Sequence, residues 1–396
     1  MPVNPLIALV NGRVLGDHGP RDGDVVLVRG KRIVAIVAHN DARIADAKKH
    51  DLQGRLLLPG FIDVQVNGGG GLLFNDAPTV ETLRGIAEAH RKYGTTGMLP
   101  TLITDTAEQM HAALTAVDEA IEQHIPGILG IHVEGPFLAT ARKGIHNADL
   151  FRQPDASDIE ILTAPHRGPV MLTLAPDQVS PAVIARLSEA GVIVVAGHTG
   201  ADYATTRAAL DAGVCGFTHL YNAMTPLSSR DPGVVGAALD DPYSWCGLIV
   251  DGHHVHPTTL RVAIAAKTRG KCVLVTDAMP PVGSDRPDYV LNGQTIVMRD
   301  GICQSEAGVL AGSGLDMAGA VRNTVQMLGL PLAEASRMAS AYPAEWIGLG
   351  RTHGRIAAGY RADFAVLDDS LTVRETWGRH GHPVYSTEQS SIRSAS

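Results

Sequence analysis

Val192-Ile-Val-Val-Ala196 runs directly into Gly197-His-Thr199, an unbroken apolar stretch that ends in a glycine and an imidazole. A short run apolar on both faces reads as a strand of a parallel sheet, and such strands carry their chemistry where they end. The same pattern recurs along the chain. Residues 128–133 yield His132 and lead to Glu134, residues 215–218 lead to His219, residues 245–250 to Asp251, and residues 273–276 to Asp277. Counting outward gives eight strand candidates, at 60–66, 97–102, 128–133, 169–174, 192–196, 215–219, 246–250 and 271–276. Ala-rich helical stretches such as 81–93 and 107–123 alternate with them. Eight βα units over about 250 residues predict a TIM (β/α)8 barrel. A doubly wound open sheet is the alternative, but no GxGxxG follows any of these strands.

The flanks read differently. Residues 1–58 alternate short β-rich pieces (6–10, 24–28, 32–37) with turn signals such as Asn11-Gly12 and Arg29-Gly30-Lys31, which predicts a small sheet. After the eighth strand, residues 289–303 carry Asn292-Gly293 and Asp300-Gly301 between β-rich pieces. They predict a β excursion inside the last βα loop, before a helix near 316–328. Residues 362–367 are strand-like again, and the polar tail from Ser386 to Ser396 is expected to fray. The expected architecture is therefore α/β. A barrel over 59–353 is accompanied by a small β-sandwich domain that both termini build, from 1–58 and 354–396.

Composition narrows the function. The chain has 396 residues, 45% of them hydrophobic, 4% aromatic and 19% charged, a balance that calls for an aliphatic α/β core. Its net charge of −8 argues against a nucleic-acid or anionic-membrane surface covering the protein, so an anionic ligand needs a local positive pocket. The four cysteines form no CxxC pair, which leaves buried free thiols as the simplest reading. The apolar run at 6–10 is too short for a secretory segment, and nowhere do about 20 apolar residues run together, so the expected location is cytoplasmic.

In a barrel the polar strand ends converge on one mouth. One Glu and two His with an open position are a donor set used by catalytic zinc, and Glu134, His198 and His219 supply it. Any one of them alone would read as a satisfied polar residue. Asp277 has two readings: it caps the turn before Ala278-Met-Pro-Pro281, or it takes a proton from a metal-activated water and returns it to a leaving group.

Read together, several motifs resemble the amidohydrolase superfamily and, within it, the family of N-acetylglucosamine 6-phosphate deacetylases. They are Leu58-Pro-Gly-Phe-Ile-Asp-Val-Gln-Val-Asn-Gly68, His132-Val-Glu-Gly-Pro-Phe137, Lys143-Gly-Ile-His-Asn147, Gly197-His-Thr199, Thr218-His-Leu-Tyr-Asn-Ala-Met224, Asp251-Gly-His-His-Val255 and Val275-Thr-Asp-Ala278. Pro-Gly-Phe-Ile-Asp marks the superfamily broadly; the His-x-Glu-Gly-Pro and Thr-His-Leu-Tyr-Asn-Ala-Met elements are much narrower. The resemblance implies that Glu134, His198 and His219 hold one divalent ion per subunit, zinc or else ferrous iron. It makes Asp277 the general base and acid, with His146 polarising the acetamide carbonyl. Sugar-phosphate contacts would fall on Asn222, Ala223, Arg230 and His254, and Leu310, Ala311 and Gly312 would line the sugar pocket through their backbone. The implied reaction releases acetate and glucosamine 6-phosphate, in a homodimer whose Arg230 reaches the partner's phosphate.

The residues themselves leave some of this open. Arg230 beside Asp231 also reads as a surface charge, and the choice among His253, His254 and His256 rests on family register alone. Where two-metal relatives carry His-x-His on the first strand, this chain has Gln65 and Asn67, so a single metal is expected, with Gln65 orienting water or substrate or simply bonding in the barrel floor. The same pair opposes a cyclic-amide hydrolase. Lys143 occupies the region of the bridging lysine of two-metal relatives, but Glu134 already fills that role. Gly68 to Gly71 lack a following Gly-Lys-Ser/Thr and read as a turn. A catalytically dead amidohydrolase fold acting as a scaffold is the rival from another class, and the complete donor set speaks against it.

Overall fold

A computed structural model describes residues 4–378 and 382–387. These fall into two compact units, one made of residues up to 63, 90–97 and from 317 onward, the other of 64–89 and 98–316.

Eight parallel strands form the barrel sheet: Phe61–Val66, Thr95–Ile103, Ile131–Glu134, Val170–Leu174, Ile193–Ala196, Gly216–Phe217, Trp245–Leu248 and Cys272–Leu274. They follow one another around the sheet in chain order. The ring closes where Val66 bridges Ala278 and the Asp277 amide donates to the Gln65 carbonyl at 3.0 Å. Each expected strand is present. The sixth is only two residues long, because the chain turns away at His219, whose φ is +30°. Helices return between strands with ordinary start signals. Thr106, Ser180 and Asp202 cap Ala107–Glu122, Pro181–Glu189 and Tyr203–Asp211.

The excursion after the eighth strand is a four-stranded antiparallel sheet, Asp288–Leu291, Gln294–Arg299, Ile302–Ser305 and Leu310–Ser313. Its first hairpin turns on Asn292-Gly293, both at positive φ (+50° and +74°), as the Asn-Gly pair demands.

In the other unit the termini build the two sheets of the expected sandwich. A six-stranded sheet joins Arg13–Gly16, Gly19–Asp22 and Leu56–Pro59 to Phe364–Leu367, Val373–Gly378 and His382–Ser386. A four-stranded sheet comes from the N-terminal part alone. Period-two alternation makes the sandwich: Val26 and Val28 pack with Val14, Phe364 and Trp377, while Val25 and Leu27 face the opposite side with Ile44. Of the tail expected to fray, the part beyond Thr387 lies outside the described residues. Among the described residues no helix is long and apolar enough to cross a membrane.

Candidate active site

Glu134 ends the third barrel strand, and His198 and His219 stand just beyond the fifth and sixth. All three are buried, and their ligand atoms lie within 4.8 Å of one another. His219 Nε2 is 3.0 Å and His198 Nε2 3.3 Å from Glu134 Oε1, and the two Nε2 atoms are 3.0 Å apart. The hydrogen bonding of His198 fixes what this means. Its Nδ1 lies 2.9 Å from the Arg142 carbonyl, which only accepts, so Nδ1 carries a proton and in the neutral ring Nε2 presents a lone pair. That lone pair points at a carboxylate oxygen, a contact between two acceptors that calls for a cation in between. Donors bound about 2.0–2.2 Å from one ion stand about 3.0–3.6 Å apart, as these do. The residues therefore fit a divalent-metal site.

Backbone strain gathers here. His198, His219 and Asp277 all adopt left-handed φ, at +47°, +30° and +53°. Such conformations disfavour non-glycine residues, and the surrounding fold holds them in place.

Asp277 faces the triad from beyond the eighth strand. Asn67 Nδ2 donates to its Oδ1 at 2.6 Å and Gln65 Nε2 donates to the same oxygen at 3.2 Å. Gln65 Nε2 also lies 3.4 Å from each oxygen of Glu134. Of the two neutral amides at the His-x-His position, Gln65 thus bridges both carboxylates while Asn67 holds Asp277 alone. Burial, reinforced by the charge of Glu134, raises the Asp277 pKa. Burial would raise Glu134 as well, but the His198 and His219 imidazoles beside it pull it well below the usual range. Two carboxylates pushed in opposite directions divide the labour of an acid/base site.

His146, on the loop after the third strand, is also buried. The hydroxyl of Thr104 lies 2.8 Å from its Nδ1, and the Thr104 amide N–H donates to the same atom at 3.4 Å. A backbone N–H only donates, so Nδ1 accepts and Nε2 carries the proton. Burial, with His198 beside it, pushes the His146 pKa down to about 3, which keeps the ring neutral.

A cavity of about 280 Å³ joins these groups. Of the residues expected to touch substrate, Asn222, Ala223, His254, Leu310 and Gly312 line it. His254 is aimed by Asp251, whose Oδ2 lies 2.6 Å from its Nδ1. Ala311 is fully buried outside the lining, and its carbonyl accepts the Tyr289 hydroxyl at 2.7 Å. Arg230 lies on an exposed loop, away from the lining of its own chain's cavity. Lys143 is exposed as well. His132, one of the polar strand-end residues, does not join the triad. It sits below it between Thr101 and Thr173, and burial pushes its pKa down to about 4. Sequence reasoning missed Thr104, for which the polar residue after the run 97–103 was the available signal. It also missed the apolar lining by Ile103, Ile145, Ile249, Met279 and Val309, which looks like ordinary core.

Comparison with known proteins identifies the family. Residues 56–393 match the Amidohydrolase family. An N-acetylgalactosamine-6-phosphate deacetylase from Shewanella sp. (strain ANA-3) is 46% identical over 87% of each chain. An N-acetylglucosamine-6-phosphate deacetylase from Haemophilus influenzae is 34% identical over 92% of this chain and 96% of its own. The crystal structure of N-acetylglucosamine-6-phosphate deacetylase from Pasteurella multocida superposes with a TM-score of 0.91 at 35% identity, covering 95% of this chain and 99% of that one.

Proposed function

The chain belongs to the amidohydrolase family, and from that membership and the site geometry we propose that it deacetylates a 6-phosphorylated N-acetylhexosamine, releasing acetate and the free amino sugar phosphate in amino-sugar catabolism. The observation that carries this reading is the Glu134–His198–His219 donor triangle with Asp277 and His146 facing it in one cavity. N-acetylglucosamine 6-phosphate is the substrate that the sequence motifs imply. The galacto epimer is the second reading, favoured by the relative at 46% identity.

Glu134, His198 and His219 hold one divalent ion, for which zinc suits the donor set and ferrous iron is the alternative. When bound, it supplies Lewis-acid activation of a water and of the amide carbonyl. Both amide donors on Asp277 fall on Oδ1, so Oδ2 remains to take the proton of the attacking water. The water oxygen bonds to the acetyl carbon, and His146 Nε2–H donates to the oxyanion that develops. Asp277 then passes its proton to the nitrogen as the C–N bond breaks. His254, Asn222 and the backbone at Ala223, Leu310 and Gly312 orient the sugar phosphate.

No Lys or Arg lines the cavity among the described residues, whereas the substrate carries a phosphate. A homodimer in which Arg230 of each protomer enters the other's site supplies the missing cation, and its planar fork suits phosphate oxygens. The four cysteines are free and no described helix is fit to cross a membrane, which agrees with a cytoplasmic enzyme. Acetate release tests the proposal, measured with the gluco and galacto 6-phosphates and with unphosphorylated N-acetylglucosamine. Turnover of at least one phosphate ester, well above the free sugar, is expected. Absence of acetate from every one of them refutes the function.

A further inference from the structure

Three apolar residues stand next to the reacting groups on one side of the cavity. Ile103, at the end of the second barrel strand, pairs in register with Glu134 and directly precedes Thr104, which holds His146. Ile145 directly precedes His146. Met279 follows Asp277 by two residues, and its amide is fixed by the Ser313 carbonyl at 3.0 Å. All three line the cavity and pack into one cluster with Leu291 and Ile296 of the β excursion. Gly312 (φ +63°) explains how the excursion comes so close: a Cβ there would collide with Met279 Cγ and the Asp277 carbonyl. The strand Leu310–Ser313 thereby backs Met279 against the reacting centre.

The polar lining lies elsewhere. Asn222 and His254 come from the loops after the sixth and seventh strands, and in an eight-strand ring the sixth stands opposite the second. A scissile amide held between the donor triangle, His146 and Asp277 has two substituents to place. The hydroxyl-rich sugar belongs with the polar loops. The acyl tail is left facing Ile103, Ile145 and Met279.

We propose that these three residues form an acyl pocket that sets the length of the N-acyl group removed, with Met279 as its end wall. The inference rests on the deacetylase reading and adds a specificity that the reading does not contain. Hydrolysis is unchanged for longer acyl groups: water adds to the acyl carbon, the C–N bond breaks and the proton goes to nitrogen. Only the fit of the extra methylenes differs. A methylene in an apolar pocket is worth about 10- to 200-fold in selectivity.

The test compares kcat/KM for N-acetyl, N-propionyl and N-butyryl hexosamine 6-phosphate across the wild type and three variants. Met279→Ala should raise the butyryl-to-acetyl ratio by roughly tenfold or more. Met279→Leu, close in volume, should keep the wild-type ratio. Ile103→Val removes one methylene with little risk to folding and should raise the propionyl-to-acetyl ratio several-fold. A wild type that releases acetate while Met279→Ala and Ile103→Val keep its acyl ratios within twofold would overturn the pocket but spare the deacetylase reading. A wild type silent toward all three substrates would overturn both.

Discussion

Replacing His146 probes the electrophilic half of the site in isolation. The ring is 3% exposed, and Thr104 engages its Nδ1 at 2.8 Å through the hydroxyl and 3.4 Å through the amide N–H. The proton therefore lies on Nε2, and with a pKa near 3 the ring stays a neutral donor from pH 5 to 9. His146→Ala removes one preorganised oxyanion donor, which costs about 2.7–4 kcal/mol, or about 100- to 1,000-fold in kcat. KM should move little, because the bond strengthens only as charge develops on oxygen. Thr104→Val deletes the hydroxyl but leaves the amide N–H to set the tautomer. It should cost about 0.5–1.5 kcal/mol, a factor of about 2–12. Steady-state acetate release between pH 6 and 9 reads both variants, and neither should alter the shape of the pH profile. A His146→Ala enzyme within threefold of wild type in kcat, or impaired only in KM, would refute the role and the tautomer argument behind it.

Asp277→Asn keeps the shape of the side chain but cannot take the proton, so turnover should fall by about 100- to 10,000-fold in the acetate assay while the protein still binds metal. Gln65→Leu strips the amide shared by Glu134 and Asp277, and competition with a chelator should show metal affinity about 10- to 100-fold weaker. In the β-sandwich unit, buried Glu375 accepts from Trp377 Nε1 at 3.0 Å and lies 2.9 Å from His50 Nε2, so Glu375→Ala should lose about 3 kcal/mol in denaturant melts at pH 7. Burial opposes ionisation of Glu375, but its bonds to His50 and Trp377 hold its pKa below the ordinary value. That stability is present above about pH 4.3 and is lost as pH falls through the lower folded pKa, so the gap between wild type and variant should narrow progressively as the pH is taken below about 4.3.

The barrel was legible because five of its eight strands read as short, largely apolar runs that lead into a polar residue, a pattern that burial on both faces imposes. Glu134, His198 and His219 could be grouped for the same reason: strands that close a ring bring their ends together whatever their distance in sequence. The sandwich was expected, but which residues cover each of its faces was not, since the alternation of Val25 to Val28 predicts two buried faces without naming what packs on either. Gly19–Asp22 is a polar edge strand with no apolar signal. The left-handed backbone at His198, His219 and Asp277 left no trace either, because none of these is a glycine. The roles of Thr104 and Met279 depend on side-chain direction, which residue spacing does not specify.

The claim on which the account rests is that Glu134, His198 and His219 share a single catalytic ion. Elemental analysis of the purified protein, before and after chelation and for the Glu134→Ala and His198→Ala variants, tests it directly. One divalent ion per chain is predicted, lost in both variants although their circular dichroism stays native, and restored to the stripped wild type in step with acetate release. Two ions per chain, or a full equivalent retained by either variant, would contradict it.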